Sequence, residues 1–504
     1  MSGKSMSKTV VKNSAYNITG TLITKLGGLI FTIVLARILA PEYFGIYSLV
    51  LSVVGLAVAL TDLGSNKTLV RYVSEALGHN DKTKARAYIR FLLKFRFFLA
   101  IGVILIIIVF GKFIAEGIFQ KPEVYHPLLF ATLLILGRAA FQFFKAGLTA
   151  VKDWRSITKL QFVQQVLRIG LVLVALQLIT TSQVEAVFVS LAIAFFLTAL
   201  AAFIYLDREL VVGRVSGDEF DKPRVLKYIA FMSFTVITLK LFGSIDNFIL
   251  GRFVESEFLG FYRAALSLAT SVGALYGFGG VFLPIFTQIH GNRLERGFEK
   301  SFKFVSILAI PSAIGLVIVS KHFITAIYGK EYLTGAIPLY ALALTIVIMP
   351  FVGLYSSLVE AKERPKILFR YTLVSLVLNI VLNFVLILWL LKFGQEYAIL
   401  GAGIATVATR GFYMLAIATK SKKFTGIKGE KRLIARPLLA AGVMAAFLIL
   451  SNQFVSINPY FGIIQIMVGA IIYFAVLFWI KGITKNELRL FKNVFVKKLK
   501  GNKH

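Results

Sequence analysis

The sequence predicts an all-α polytopic membrane protein with about 14 transmembrane helices, and three observations support that fold class. Hydrophobic residues make up 58% of the 504 residues and charged residues only 16%, whereas soluble domains carry about a quarter charged residues. The mean hydropathy is +0.80. Apolar runs near or above the roughly 17 to 25 residues of a membrane-crossing helix recur from end to end. These features exclude an ordinary soluble protein.

Each apolar run is predicted to form a helix, because barrel strands would be segments of about ten residues with alternating polarity. The predicted spans cover residues 13–39, 43–64, 91–111, 127–149, 160–180, 186–206, 228–254, 258–286, 304–327, 336–359, 371–391, 398–419, 437–454 and 460–480. The first run is too long for the apolar region of a secretory signal peptide, so we expect it to be retained as the first span.

Basic residues are distributed unequally among the segments that connect the spans. Successive segments alternate between the two sides of the membrane. The eight segments on one side carry 40 Lys and Arg residues, whereas the seven on the other side carry only Lys112, Lys121, Lys330 and Lys392. Because cytosolic loops are rich in Lys and Arg, we expect a multi-pass protein of the cytoplasmic membrane with both termini in the cytosol. The net charge of +32 is then a topology signal, and we expect no nucleic-acid partner.

An internal repeat is present at an offset of 215 residues. Residues 25–52 align with residues 240–267 without a gap, and 11 of the 28 positions are identical, including Lys25/Lys240, Gly45/Gly260 and Tyr47/Tyr262. Self-similarity of this kind indicates duplication. The offset spans six helices, an even number, so the two copies should share one orientation and be related by an axis along the membrane normal.

The duplication predicts two pseudo-symmetric six-helix lobes followed by two helices without a counterpart. The predicted divisions are an N-lobe at 1–206, a cytosolic linker at 207–227, a C-lobe at 228–419, a basic cytosolic loop at 420–436, the last two spans at 437–480 and a basic cytosolic tail at 481–504. Transporters built from such repeats place the substrate site near the bilayer midplane at the repeat interface. We therefore expect the site in a central cleft.

The sequence offers no candidate for catalysis. The chain has no cysteine, its five histidines are scattered, and no hydrolase or metalloprotease motif is present. We therefore expect a protein that is not an enzyme and has neither a metal site nor an organic cofactor.

Six basic residues deep within the predicted spans are the candidate substrate-binding residues. They are Lys25, Arg138, Lys145, Arg168, Lys240 and Arg410. A cation at the bilayer centre costs at least about 2.5 to 3.5 kcal/mol unless it faces water or a partner, and Asp246 is the deep acid available to them. The surplus of cations predicts a cavity for an anionic head group such as phosphate, pyrophosphate or an acidic sugar. A structural role, in which each cation bonds carbonyl or glutamine oxygens, is the alternative.

Asp246 itself has two interpretations. It is either a coupling carboxylate whose occupancy by H+ or Na+ gates movement, or the partner of a neighbouring lysine or arginine. Asn379 and Asn383, at i and i+4, are interpreted as interhelical contacts. Arg96 and Arg263 lie near span ends, where long basic side chains are expected to reach the head groups.

Five short segments, in order, carry a resemblance to a known family. They are RILAPEYFGIYS at 37–48, DLGSNKTLVRYVSE at 62–75, SIDNFILGR at 244–252, LNIVLNFVLI at 378–387 and ILGAGIAT at 399–406. With these segments the chain resembles the polysaccharide-transport (Wzx-type) flippases of the multidrug/oligosaccharidyl-lipid/polysaccharide exporter superfamily. The resemblance covers nearly the whole chain.

The resemblance implies fourteen helices with two six-helix lobes in a MATE-like V, and alternating-access translocation of a lipid-linked oligosaccharide to the outer leaflet. It also implies that cavity cations engage the phosphate-bearing head, a role carried over to the six candidates above. Related drug exporters have an acid in the first span, where this chain has Lys25 instead. That departure argues against export of cationic drugs.

Three alternatives remain open from the sequence. The first is an ion-coupled exporter of small soluble solutes, which would need a titratable acid such as Asp246. The second is a flippase of peptidoglycan-precursor type, which has a similar layout. The third is a membrane scaffold that recruits glycan-assembly enzymes through its basic loops.

Overall fold

A computed structural model describes residues 3–211, 220–275, 279–426, 432–453 and 459–483. Every regular element within these ranges is helical, so the predicted all-α class is confirmed. Parts of the predicted linker and basic loop, and the tail from residue 484 onward, lie outside the described residues.

The helices follow one another along the chain with short connections. They are α1 (Gly3–Asp62), α2 (Ser65–Gly78), α3 (Lys82–Lys112), α4 (Tyr125–Ala150), α5 (Trp154–Leu178), α6 (Gln183–Tyr205), α7 (Arg208–Val211), α8 (Lys222–Phe242), α9 (Ile245–Phe253), α10 (Ser256–Leu275), α11 (Gly279–Gln288), α12 (Asn292–Ile318), α13 (Ser320–Tyr328), α14 (Ala336–Leu342), α15 (Thr345–Ala361), α16 (Pro365–Leu391), α17 (Gln395–Thr425), α18 (Arg432–Gln453) and α19 (Pro459–Trp479). Single turns of π or 3-10 helix occur at Phe113–Ile118, Pro122–Val124 and Lys330–Gly335.

The chain is a multi-span membrane protein. Within the described residues, ten helices are long and apolar enough to cross a membrane, or eleven if one pair bent by 43° counts as a single span. Several predicted spans are built from two helices; for example, 228–254 is α8 and α9, which break at Gly243 and Ser244. The count of fourteen stays a prediction.

Helix α1 contains two of the predicted spans, 13–39 and 43–64. Its backbone departs from helical geometry at Ala40, with φ 58° and ψ 169°, just before Pro41. Proline cannot donate a backbone hydrogen bond and disfavours helical geometry in the residue before it. The kink at Ala40 therefore separates the two spans without a loop.

The helices pack into two compact units. The first comprises Met1–Ser267 and Thr372–Ala405, and the second Leu268–Tyr371 and Thr406–His504. The predicted division into lobes at residues 206 and 228 stays a prediction.

Within the second unit, α18 and α19 pack on α12, which contains Pro311. Pro311 leaves the carbonyl of Ile307 without its usual intrahelical donor, and the Tyr473 hydroxyl of α19 donates to that carbonyl at 2.7 Å. Gln465 donates to Asn452 and Ser451, and thereby joins α19 to α18. A buried tyrosine hydroxyl thus satisfies the backbone carbonyl that Pro311 leaves without a donor.

Candidate functional site

The two copies of the internal repeat cross each other in the first unit with their backbones in contact. A Cβ added to Gly45 of α1 would collide with the carbonyl of Ser256, and one added to Gly260 of α10 would collide with the carbonyl of Pro41. Gly45 and Gly260 are equivalent at the 215-residue offset, as are Pro41 and Ser256. The contact is therefore reciprocal, and glycine is required on both sides because any side chain would separate the helices.

This crossing positions two equivalent tyrosines, each two residues beyond its glycine. Tyr47 is 6% exposed, and its ring lies 5.4 Å from the ring of Phe188. The charges of Arg138, Arg168 and Arg263 all act on its hydroxyl. Three guanidinium groups, from α4, α5 and α10, therefore lie close enough to this phenol for their charges to act on it.

Arg168 reaches the site from α5 across the face of α1. Its guanidinium lies over the ring of Phe31, 3.7 Å from the ring centroid, in the geometry of a cation–π contact. The helices approach closely because Gln161 and Gln165 of α5 lie against Gly20 and Gly27 of α1. Arg168 Nε is buried and makes no hydrogen bond among the described residues.

Arg138 has a similar environment on α4. Its guanidinium lies 5.4 Å from the centroid of the Phe195 ring, and its buried Nε has no hydrogen-bond partner among the described residues. An aromatic face attracts a cation without neutralising it. Arg138 and Arg168 therefore keep their charge and part of their hydrogen-bonding capacity.

Lys240 of α8 lies against α1 at Gly55, where an added Cβ would collide with its Nζ. The absent side chain of Gly55 is thus what makes room for the lysine. The charges of Arg138, Arg263 and Asp246 act on the Lys240 ammonium group. Lys240 therefore belongs to the same electrostatic cluster as the arginines around Tyr47.

Asp246 is the carboxylate of this cluster and is held by uncharged donors. The hydroxyl of Tyr262 donates to Asp246 Oδ2 at 2.5 Å, and the backbone N–H of Asn247 donates to Oδ1 at 3.0 Å. Asp246 is 3% exposed. It makes no ion pair within the described residues, so the predicted pairing with a lysine or arginine is not observed.

We use the name cation cluster for the three arginines that act on Tyr47, together with Lys240, which lies in the field of two of them. Its members are Arg138, Arg168, Arg263 and Lys240. None of its four cations makes an ion pair within the described part of the chain. One carboxylate, Asp246, contributes the opposing charge. An unpaired charge in a low-dielectric setting is costly, so the cluster is suited to an anion that supplies the missing partners.

Three predicted site residues lie outside the cation cluster. Lys145, two turns after Arg138 on α4, is half-buried and has no charged partner among the described residues. Lys25 is exposed and lies on a different side of α1 from Gly20, Gly27 and Phe31, the residues that contact α5. Arg410 belongs to the second unit, where its buried Nη1 makes no hydrogen bond within the described ranges. Their substrate-binding roles stay predictions.

Sequence reasoning missed Arg263 and Tyr47. Arg263 was expected to reach the head groups, yet its charge acts on both Tyr47 and Lys240. The repeat contained a signal for Arg263. This arginine of the second copy is equivalent to Ser48 of the first copy. A basic residue that breaks an otherwise close repeat marks a site that is not symmetric.

Arg96 also differs from expectation. It is 3% exposed and forms an ion pair with Asp62 at 3.2 Å. It also donates to Asn66 Oδ1 at 2.6 Å and Gln142 Oε1 at 3.3 Å. Asp62 in turn accepts from the backbone N–H of Asn66, which lies in the first turn of α2. This network fixes the corner between α1 and α2, and so accounts for Asp62 and Asn66 in segment 62–75.

Comparison with known proteins gives a consistent assignment. The sequence profile of a family described as "Polysaccharide biosynthesis protein" matches residues 10–290. The teichuronic acid biosynthesis protein TuaB of Bacillus subtilis is 27% identical over 161 residues, which are 30% of this chain and 33% of that protein. The probable low-salt glycan biosynthesis flippase Agl15 of Haloferax volcanii is 25% identical over 239 residues, 46% of this chain and 48% of that protein. The chain thus matches a third to about half the length of these relatives.

A solved structure matches over a much larger part of the chain. It is that of the lipid II flippase MurJ in an inward closed conformation, with a TM-score of 0.73. The superposition covers 96% of this chain and 99% of that chain at 16% sequence identity. At this identity the likeness is one of fold.

Proposed function

We propose that this chain, which belongs to the polysaccharide biosynthesis protein family, translocates a lipid-linked oligosaccharide or polysaccharide precursor across the cytoplasmic membrane by alternating access. The precursor is linked to its lipid through a phosphate or pyrophosphate. The proposal places both termini in the cytosol, and it requires no covalent step, so the protein is not an enzyme.

The observation that carries the proposal is the cation cluster. Four cations from α4, α5, α8 and α10 act on one another or on Tyr47 without an ion pair among the described residues. A phosphate offers several strong acceptor oxygens, and guanidinium groups bind such oxygens in pairs. We propose that Arg138, Arg168, Lys240 and Arg263 bind the phosphate-bearing head group, with Lys25, Lys145 and Arg410 contacting it at other stages of transport.

The test is a flipping assay in liposomes that contain a fluorescent lipid-linked oligosaccharide and an added membrane-impermeant quencher. We compare the wild type, the double variant Arg138→Gln/Lys240→Gln, and the control variant Lys392→Gln, which removes an exposed charge outside the cluster. Each lost charge-assisted bond is worth about 1.5 to 3 kcal/mol, so the double variant should flip at least about tenfold more slowly. Wild-type flipping by a folded double variant would refute the assignment of the head-group site.

Ion coupling is a separate part of the proposal and concerns Asp246. The side-chain oxygen Oδ1 of Asn247, the residue that follows Asp246, is buried without a hydrogen-bond partner among the described residues. Carboxylate and amide oxygens are ligands that hard cations prefer, and a carboxylate can also bind a proton, so we propose Na+ or H+ as the coupling ion at Asp246. Asp246→Asn should abolish the dependence of flipping on an imposed Na+ or H+ gradient; an unchanged dependence would exclude Asp246.

Two other functions are distinguished in the same liposomes, by measuring solute efflux or by changing the lipid substrate. An ion-coupled exporter of small soluble solutes is favoured by Asp246 alone, and would show ion-driven solute efflux without lipid flipping. A flippase of peptidoglycan-precursor type would show the same flipping with lipid II as substrate. We also propose that glycan-assembly enzymes are partners of the basic cytosolic segments, which co-purification with the full chain would test.

A further inference from the structure

An elongated apolar cavity lies within the second unit, far in sequence from the cation cluster. Its volume is about 760 Å³, and its walls come from α12, α15, α17 and α18 together with Leu344. Along α12 the lining runs from Phe302 to Ile318, which is about 24 Å at 1.5 Å per residue. The cavity is partly open to the outside of the unit, and protein interiors leave few voids larger than a water molecule. A space of this size is therefore suited to an occupant that enters from outside.

The lining excludes water and sugar as that occupant. It is dominated by aliphatic and aromatic side chains such as Ile310, Ala313, Ile348, Phe351 and Met414. One of its few polar groups, the Thr419 hydroxyl, already donates to the carbonyl of Leu415 at 2.7 Å. A buried water needs two to four polar partners. A hydrocarbon chain matches both the length and the chemistry of this surface.

One end of the cavity carries positive charge. Lys422, near the end of α17, is exposed and lines the cavity. It belongs to segment 420–436, which contains seven basic residues and Glu430 as its single acid. The basic-residue pattern assigns this segment to the cytosolic side, where anionic lipids attract basic residues and bind in basic pockets between helices.

We propose that this cavity is a binding site for an anionic phospholipid of the cytosolic leaflet. One acyl chain occupies the apolar cavity, and the phosphodiester head group pairs with Lys422. The lipid is a resident component of the second unit and fills a space that its own helices leave open. The inference does not depend on the transport function proposed above.

The first experiment measures lipid-dependent stability. The full-length protein is delipidated in a neutral detergent, and its melting temperature is followed while phosphatidylglycerol or phosphatidylcholine is added. One lysine at an anionic lipid surface should make the apparent binding of phosphatidylglycerol about fivefold tighter than that of phosphatidylcholine. Lys422→Gln should remove that preference, whereas Lys423→Gln should retain it, because the exposed Lys423 does not line the cavity. Equal responses to both lipids in the wild type, or a preference that persists in Lys422→Gln, would overturn the proposal.

A second variant tests the apolar part of the site. Ala313 is 2% exposed and lines the cavity, so Ala313→Phe should occupy the space of the acyl chain. We expect this variant to lose most of its response to both lipids and, in native mass spectrometry, to carry one bound lipid fewer than the wild type. If it binds the same number of lipids as the wild type, the cavity is not the site. Displacement of phosphatidylglycerol by a polyprenyl phosphate at equal concentration would also overturn the proposal, because the cavity would then hold the lipid carrier of a substrate.

Discussion

The two copies of the internal repeat place the same residues around their crossing but surround the two equivalent tyrosines differently. In the first copy, Tyr47 lies among guanidinium groups, and Phe31 lies beneath Arg168. In the second copy, the position equivalent to Phe31 is Asp246, and it accepts a hydrogen bond from Tyr262. One copy thus holds a cation on an aromatic ring, and the other holds a carboxylate with a phenol.

The difference shows how a duplicated scaffold can carry an unsymmetric charge. Phenylalanine attracts Arg168 but leaves its charge uncompensated, and Tyr262 satisfies Asp246 without a cation. The second copy has Arg263 where the first copy has Ser48, and this difference adds a further positive charge. The duplication supplies the geometry, and a few substitutions supply the net positive potential that an anionic head group requires.

The largest effect is expected where the copies are alike, at the crossing itself. Gly45→Ala and Gly260→Ala would each drive a Cβ into a backbone carbonyl of the other helix. A carbonyl cannot move aside by changing rotamer, so we expect a loss near the upper end of the about 1 to 3 kcal/mol seen for overpacking. Thermal unfolding in detergent should show similar decreases in melting temperature for the two variants.

The repeat also provides matched controls for this test. Gly28 and Gly243 are equivalent at the same offset; a Cβ at Gly28 has no neighbour within 4 Å, and one at Gly243 meets carbonyl oxygens no closer than 3.6 Å. Gly28→Ala and Gly243→Ala should therefore leave the melting temperature nearly unchanged. If Gly45→Ala proved as stable as Gly28→Ala, the close crossing would be contradicted.

The second largest effect separates the two tyrosines. Tyr262→Phe removes the hydrogen bond to the Asp246 carboxylate, and bonds to charged groups contribute about 1.5 to 3 kcal/mol. Tyr47 makes no hydrogen bond among the described residues, so Tyr47→Phe should change stability by less than about 0.5 kcal/mol. Equal losses in thermal unfolding would mean that the copies do not differ at these positions.

A smaller effect is expected from the aromatic support of Arg168. Phe31→Leu keeps the core apolar but removes the ring beneath the guanidinium, and the lost cation–π contact is worth about 0.5 to 2 kcal/mol. Phe162→Leu on α5 is the control, because Phe162 is 57% exposed and contacts no charged group in the described chain. A melting temperature that falls no further for Phe31→Leu than for Phe162→Leu would show that the contact contributes nothing.

The sequence predicted the helices and the repeat well, because length, hydropathy and residue identity act locally. It predicted the site less well, because hydropathy detects only the apolar part of a helix and misses the polar turns at its ends. Arg96 was expected near a span end, yet α3 begins at Lys82 and Arg96 is buried. Gln161 and Gln165, two turns and one turn before Arg168 on α5, lie against the glycines of α1. Which face of a helix meets its neighbour depends on tertiary packing, and periodicity alone does not determine it.

The smallest effect concerns the break inside each copy. In the first copy the helix is interrupted at Ala40 and Pro41, whereas the equivalent residues of the second copy, Glu255 and Ser256, form polar contacts. Ser256 Oγ donates to Glu123 at 3.2 Å, and the backbone N–H of Glu255 donates to Gln395 at 2.7 Å. The half-buried Lys121 lies in the field of Glu123 and Glu255. A half-buried lysine and two carboxylates therefore surround the second break.

Burial lowers the pKa of Lys121 below the usual value for lysine, although Glu123 and Glu255 act to raise it. The folded protein therefore binds this proton less tightly than the unfolded chain. Stability should rise slightly as the pH increases from the lowered pKa towards about 10.4, the ordinary lysine value. Lys121→Met should reduce that rise in melting temperature, because one contributing lysine is lost, while Lys392→Met, which alters an exposed lysine, should leave it unchanged. An alkaline rise of wild-type size in Lys121→Met would show that Lys121 does not contribute to it.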